Sequence, residues 1–101
     1  MRRAAKVDQN QAEIVRNLRK LGASVEPALA RCGSGGPDLL VGYGGRTFIL
    51  EVKQPGAQLT QDERKWHEAW RGQVAIVTTW QEAAAVVGAI TYHTKEREEK
   101  P

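Results

Sequence analysis

The chain has 101 residues, 41% hydrophobic and 27% charged, with a formal net charge of +3 and one cysteine. That length suits one domain with a single modest core. No apolar run approaches the ~20 residues of a membrane span, no signal-peptide pattern opens the chain, and the lone Cys32 excludes an intrachain disulfide or a thiolate zinc site. The mildly basic balance favours a polyanionic partner, and a reduced, intracellular setting is expected.

Met1 to Val7 is short and basic through Arg2, Arg3 and Lys6, and is expected to be flexible. Asp8 has the character of a helix N-cap, with Gln11 three residues on in capping-box position. The helix is expected to reach about Leu21, with Gly22 as its C′ residue. Ile14, Val15, Leu18 and Leu21 recur at helical spacing and form its buried stripe. Gln9, Glu13 and Asn17 form a second stripe beside it. Periodicity alone makes Glu13 a solvated residue close to the core boundary. Ala23 to Leu29 alternates weakly and reads as a strand, with Pro27 marking an edge or bulge. Arg31 to Gly36 is a glycine-rich loop without the Gly-Lys-Ser/Thr ending of a P-loop, so no nucleotide cofactor is expected.

Leu39 to Tyr43 and Thr47 to Val52 are two apolar runs joined by Gly44-Gly45. A glycine pair supplies the positive φ angles of a two-residue hairpin loop, so these runs predict a β-hairpin. Gln54 to Ala57 leaves the sheet. Thr60 with Glu63 makes a second capping box, opening a helix to about Trp70. Leu59, Trp66 and Trp70 are expected to face the core, leaving Arg64, Lys65 and Arg71 on a basic exposed side. Gln73 to Thr79 reads as a short buried strand, Trp80 to Gly88 as a last helix, and Ala89 to Tyr92 as an edge strand. Lys95 to Pro101 mixes three positive and three negative charges and is expected to be disordered. The resulting organisation is a basic N-terminus over 1–7, a folded domain over 8–92 and a charged tail over 93–101. The fold class is α/β, a small mixed sheet flanked by helices in the order α-β-β-β-α-β-α.

The chemistry concentrates in the hairpin. Strand alternation puts Glu51 and Lys53 on one face, and antiparallel pairing brings Asp38 level with them. Two carboxylates and a lysine at one end of an apolar sheet suit a hard divalent cation, Mg²⁺ or Mn²⁺. Asp38, Glu51 and the Val52 carbonyl would be ligands, with Lys53 beside a bound phosphate. The simpler reading makes Asp38 a turn cap and Glu51 with Lys53 a surface ion pair. The combination of all three residues favours the metal site.

Gly36-Pro37-Asp38-Leu39, then Glu51-Val52-Lys53 with twelve residues between the two acids, resembles the PD-(D/E)XK nuclease signature. More narrowly, with Leu59-Thr60 leading to Trp66, the chain from the Glu13 helix to about Gly88 resembles the small stand-alone VRR-NUC domains of phages and bacteria. The resemblance implies a restriction-endonuclease-like core and a divalent metal for phosphodiester cleavage. It assigns Asp38 and Glu51 as metal ligands and Lys53 as the catalytic lysine. It also makes Glu13 a site member, binding metal directly or through water. Many relatives carry glutamine where this chain has Glu63. That residue is open to two roles, capping-box partner of Thr60 or member of the site.

The same resemblance implies a homodimer acting on four-way DNA junctions, in a bacterial host's cytoplasm and encoded by a phage or prophage. The rivals are a flap or nicking nuclease serving phage replication or packaging, and a DNA-binding module that does not cut. Trp80, Tyr92 and the Val86-Val87 pair are candidate dimer residues, each equally explained as core. Arg31, Arg46, Arg64, Lys65 and Arg71 are candidate phosphate contacts. Nothing in the sequence resembles a base-reading helix or a stacking platform, so recognition of shape and backbone is expected. His67 and His93 lack metal-ligand spacing, and His67 reads as a solvated helix residue.

Overall fold

The structure, a computed structural model, describes residues 2–29 and 35–91, with side chains from residue 10 onward. Arg31, Cys32, Tyr92, His93 and the charged tail lie outside the described residues. Seven elements follow one another: α1 (Arg2–Lys20), β1 (Ser24–Glu26), β2 (Leu39–Tyr43), β3 (Arg46–Val52), α2 (Gln61–Ala69), β4 (Ala75–Val77) and α3 (Trp80–Val87). The order is the expected α-β-β-β-α-β-α. They build one four-stranded sheet in the order β1-β2-β3-β4. β1 and β3 both run antiparallel to β2, and β4 runs parallel to β3. The sheet is therefore mixed, as expected.

α1 begins at Arg2, not at Asp8. Arg2, Arg3, Ala4, Ala5 and Lys6 are strong helix formers, so the helix propagates through them and leaves Asp8 internal. Its C-terminus follows the expectation. Gly22 has φ 99°, the Ala23 N–H donates to the Leu18 carbonyl and the Gly22 N–H to the Arg19 carbonyl, both at 3.0 Å. This pair of bonds satisfies two end carbonyls in the Schellman arrangement. Ile14, Val15 and Leu18 are buried, with Leu21 packed against the core.

β1 stops at Glu26, short of Leu29, because Pro27 has no N–H to continue the ladder. Gly44 and Gly45 take φ of 59° and 80°, closing the two-residue turn between paired Tyr43 and Arg46. β4 is limited to three residues. Just before it, Gln73 brackets β3 with its side-chain amide, accepting from the Ile49 N–H at 2.7 Å and donating to the Ile49 carbonyl at 3.2 Å. α3 opens at Thr79, whose hydroxyl accepts the Glu82 N–H, and closes at Gly88 with φ 87°. Ala89 and Ile90 pack against the core without forming the expected edge strand.

The core lies on one face of the sheet. Val25, Leu39, Val41, Leu50, Val52 and Val77 meet α1 and α3 there, including fully buried Ile14, Leu18, Ala83 and Ala84. Each fully buried Leu or Ile contributes about 1.5–3 kcal/mol. Alternation sends Leu40, Ile49, Glu51 and Ile76 to the other face, where Glu51 and Ile76 are register partners. α2 stands on that second side and buries no residue of its own. The expectation that Trp66 and Trp70 enter the core is thereby corrected: a helix on the thinly covered face of a sheet has no second core to reach.

Among the described residues, no helix is long and apolar enough to cross a membrane. Of the candidate dimer residues, Val87 is buried and Trp80 packs on the core, while Val86 is exposed.

Candidate active site

Asp38 stands where the chain enters β2. Its N–H donates to the Leu50 carbonyl at 3.1 Å, and its Oδ2 accepts the Val52 N–H at 2.7 Å. That side-chain bond reaches across to β3 and does not cap the local turn, and it fixes the carboxylate beside Glu51. Glu51 is 1% exposed, the one buried charged residue among those described. Burial, then the charge and hydrogen bond of Asp38, then the charge of Glu63, push its pKa up to about 8, against a smaller opposing pull from Lys53.

Lys53 extends beyond β3, tied to β4 by its N–H, which donates to the Val77 carbonyl at 2.9 Å. Its Nζ lies 2.6 Å from Glu63 Oε1. Glu63 takes the capping role and also contacts Lys53. Its Oε1 accepts the Thr60 N–H at 2.8 Å while Thr60 Oγ1 accepts the Glu63 N–H at 3.2 Å, completing the capping box. Burial would raise the Glu63 carboxyl, but hydrogen bonds from Lys53 and Thr60 outweigh it and hold the group below its ordinary range.

Asp38, Glu51, Val52, Lys53 and Glu63 line one cavity of about 300 Å³, together with Asn10, Gln54 and Ala57. A larger hollow of about 720 Å³ lies along α1, edged by Arg16, Arg19 and Lys20. Among the described residues it is lined by basic side chains and no acids, so the smaller cavity is the one where carboxylates and a lysine come together.

Glu13 does not join the cavity. It is exposed on α1, and its carbonyl accepts from Asn17 Nδ2 at 2.9 Å. Among the described side chains of α1, Asn10, one turn earlier, is the one that lines the cavity with the acids. His67, read from sequence as solvated, is 13% exposed, with Nε2 3.5 Å from Glu51 Oε1. The signal for it was present: Glu63 and His67 are four apart on α2, so one helix face presents both.

Arg64, Lys65 and Arg71 are exposed on and after α2. Arg46 sits at the hairpin tip, five residues along β3 from Glu51, or roughly 17 Å away. Trp66 and Trp70 stack at 4.8 Å between centroids and 17° between planes, and Trp70 remains 40% exposed. An aromatic stack beside basic residues is a feature the sequence reading missed, because both indoles were assigned inward.

No protein-family model and no curated protein matches the chain. A solved structure titled "VRR_NUC domain" matches over 87% of this chain and 98% of that one, with a TM-score of 0.66 and 24% identity. The chain has the fold of that VRR_NUC domain. The shared architecture is a restriction-endonuclease-like α/β arrangement, a small mixed sheet flanked by helices.

Proposed function

We propose that the chain is a metal-dependent, structure-selective DNA endonuclease that hydrolyses phosphodiester bonds and resolves four-way junctions as a homodimer. The observation that carries this reading is the meeting of Asp38, Glu51 and Lys53 in one cavity, with Glu51 withdrawn from water. The likeness in fold to a VRR_NUC domain supports it.

The residues fit a hard divalent cation. Asp38, Glu51 and the Val52 carbonyl would hold Mg²⁺ or Mn²⁺ through oxygen donors. Among the described residues no group of three or more His, Cys, Asp or Glu is placed to hold a metal ion by side chains alone, so the donor set would be two carboxylates and a backbone carbonyl. Glu51 stands at about 8 because it is buried against Asp38 and Glu63. Ionising it at neutral pH calls for a positive charge close by. When bound, the cation neutralises charge on the phosphate and lowers the pKa of a coordinated water. Lys53 Nζ, held by Glu63, donates to a phosphate oxygen and stabilises charge developing there. Arg64, Lys65 and Arg71 contact the DNA backbone.

A domain this small has little surface with which to select a branched substrate, and a two-fold pair supplies two sites for paired cuts. Among the described residues, Val86, Trp70 and Ile76, the last at 51%, are exposed large apolar side chains that such a contact could use. The stacked Trp66-Trp70 pair favours a second reading, a flap-directed nuclease that seats an unpaired base.

Cleavage of a labelled four-way junction, with duplex, flap and single-strand controls, in Mg²⁺, Mn²⁺ and chelator, tests both. Paired, metal-dependent cuts in the junction that vanish in Lys53→Ala are expected. Cuts confined to flaps would move the function to the second reading. Salt-sensitive binding without any cleavage would leave a non-cutting DNA-binding module.

A further inference from the structure

Asn10 is the one described residue with a buried side-chain polar atom lacking a hydrogen-bond partner, and it lines the acidic cavity. The orphan is Nδ2, an amide donor. A buried donor left unpaired costs about 1–3 kcal/mol, so its persistence calls for an explanation. Its surroundings sharpen the question. The cavity is rich in acceptors, with Asp38, Glu51 and Glu63 all lining it, yet each is engaged elsewhere: Asp38 by the Val52 N–H, Glu51 by Asp38 and His67, Glu63 by Thr60 and Lys53. Among the described residues lining it, the one cationic donor, Lys53, is already turned toward Glu63.

Resting on the nuclease reading, we infer that Asn10 is a catalytic residue whose Nδ2 donates to a nonbridging oxygen of the scissile phosphate. An anionic tetrahedral group brought among these acids supplies the acceptor that the protein does not. The donor strengthens its bond as charge accumulates on that oxygen, and so acts on the transition state more than on bound substrate. It also adds no negative charge to a cavity that already holds three carboxylates, which an acid from α1 would.

The test is steady-state cleavage and thermal melting of the wild type, Asn10→Ala and Asn10→Asp. Loss of one such donor lowers kcat by about 10²-fold with little change in KM. Asn10→Ala melts at the wild-type temperature or higher, because it removes an unsatisfied buried group. Asn10→Asp has the same shape without the donor and loses at least as much activity. Wild-type rates in Asn10→Ala would overturn the inference. So would full activity in Asn10→Asp, which would mean that the oxygen is the working atom. A lower melting temperature that parallels the activity loss would make Asn10 structural. A wild type that cuts nothing would remove the nuclease reading and this inference with it, and that failure is visible before any variant is compared.

Discussion

Lys53 Nζ lies 2.6 Å from Glu63 Oε1, and that same oxygen accepts the Thr60 N–H that opens α2. One carboxylate therefore couples the end of β3 to the start of the helix that covers the second face of the sheet. The helix buries no residue, so its attachment depends on polar links at its N-terminus and on His67 reaching Glu51. The geometry of Lys53 and the docking of α2 are one problem with one solution.

Replacing Glu63 separates the two roles. Glu63→Gln keeps a side chain able to accept from Thr60, so the melting temperature should stay close to wild type. It removes one of the charges that raise Glu51, so the Glu51 titration should move to lower pH. Cleavage should survive, since a glutamine amide oxygen can still accept from Thr60 and from Lys53 and keep both in place. Glu63→Ala should lose roughly 1 kcal/mol by the loss of the cap and release Lys53. Chemical denaturation of both variants, beside their cleavage rates, checks this.

The acid pair predicts an unusual pH dependence in metal-free protein. Glu51 rises from an ordinary 4.5 to about 8 on folding, so the folded state binds an extra proton between those values. Its contribution is full below about pH 4.5 and is lost as pH climbs to about 8, with a slope of at most about 1.4 kcal/mol per pH unit. Glu63 is shifted downward, so its contribution is lost only on acidification below the ordinary carboxylate range, outside this window. Melting temperature in chelator should fall from pH 5 to pH 8. Adding Mn²⁺ at pH 8 should restore it, and Glu51→Gln should flatten the profile.

Gly35 is a point where the loop and α2 meet. Its φ is +78°, and a Cβ there would lie 2.5 Å from the Asp62 carbonyl oxygen and 3.1 Å from the Glu63 nitrogen. Both the left-handed backbone and the close approach exclude a side chain. Gly35→Ala should push the first turn of α2 away from Pro37-Asp38 and move Glu63 off Lys53. A loss of about 1–3 kcal/mol, with cleavage falling further than stability accounts for, is the expected result in paired denaturation and rate measurements.

The sheet was legible because its rules are local. Gly44-Gly45 announces its turn by composition, and the turn sets the register that brings Asp38 to Glu51. The α1 stripe through Ile14 and Leu18 follows from period alone. What was not legible depends on how elements meet. Which α1 residue enters the cavity turns on the helix's rotation over the sheet, and three residues decide between Glu13 and Asn10. The fate of Trp66 and Trp70 was hidden for the same reason: an aromatic residue on a helix reads as core until it is known that α1 and α3 already fill the only deep face. His67 needed both facts together, the α2 face and the position of Glu51.

Trp70 offers the last prediction, because two explanations of it diverge in measurement. Its Nε1 donates to the Gln73 carbonyl at 3.0 Å, and its ring lies so close over Gly72 that a Cβ there would sit 3.0 Å from it. Those contacts hold the α2–β4 connection, and Gln73 in turn brackets β3. The ring also stacks on Trp66 while staying 40% exposed next to Arg71. A purely structural Trp70 predicts that Trp70→Ala lowers the melting temperature and leaves DNA affinity alone. A base-stacking Trp70 predicts a loss of about 1–3 kcal/mol in binding to a flap or single strand, with duplex binding unchanged and tryptophan fluorescence of the wild type quenched only by unpaired DNA. The flap-directed reading expects the second pattern. Titrations in Ca²⁺ at fixed salt, comparing flap, duplex and junction on the wild type and on Trp70→Ala, decide between them.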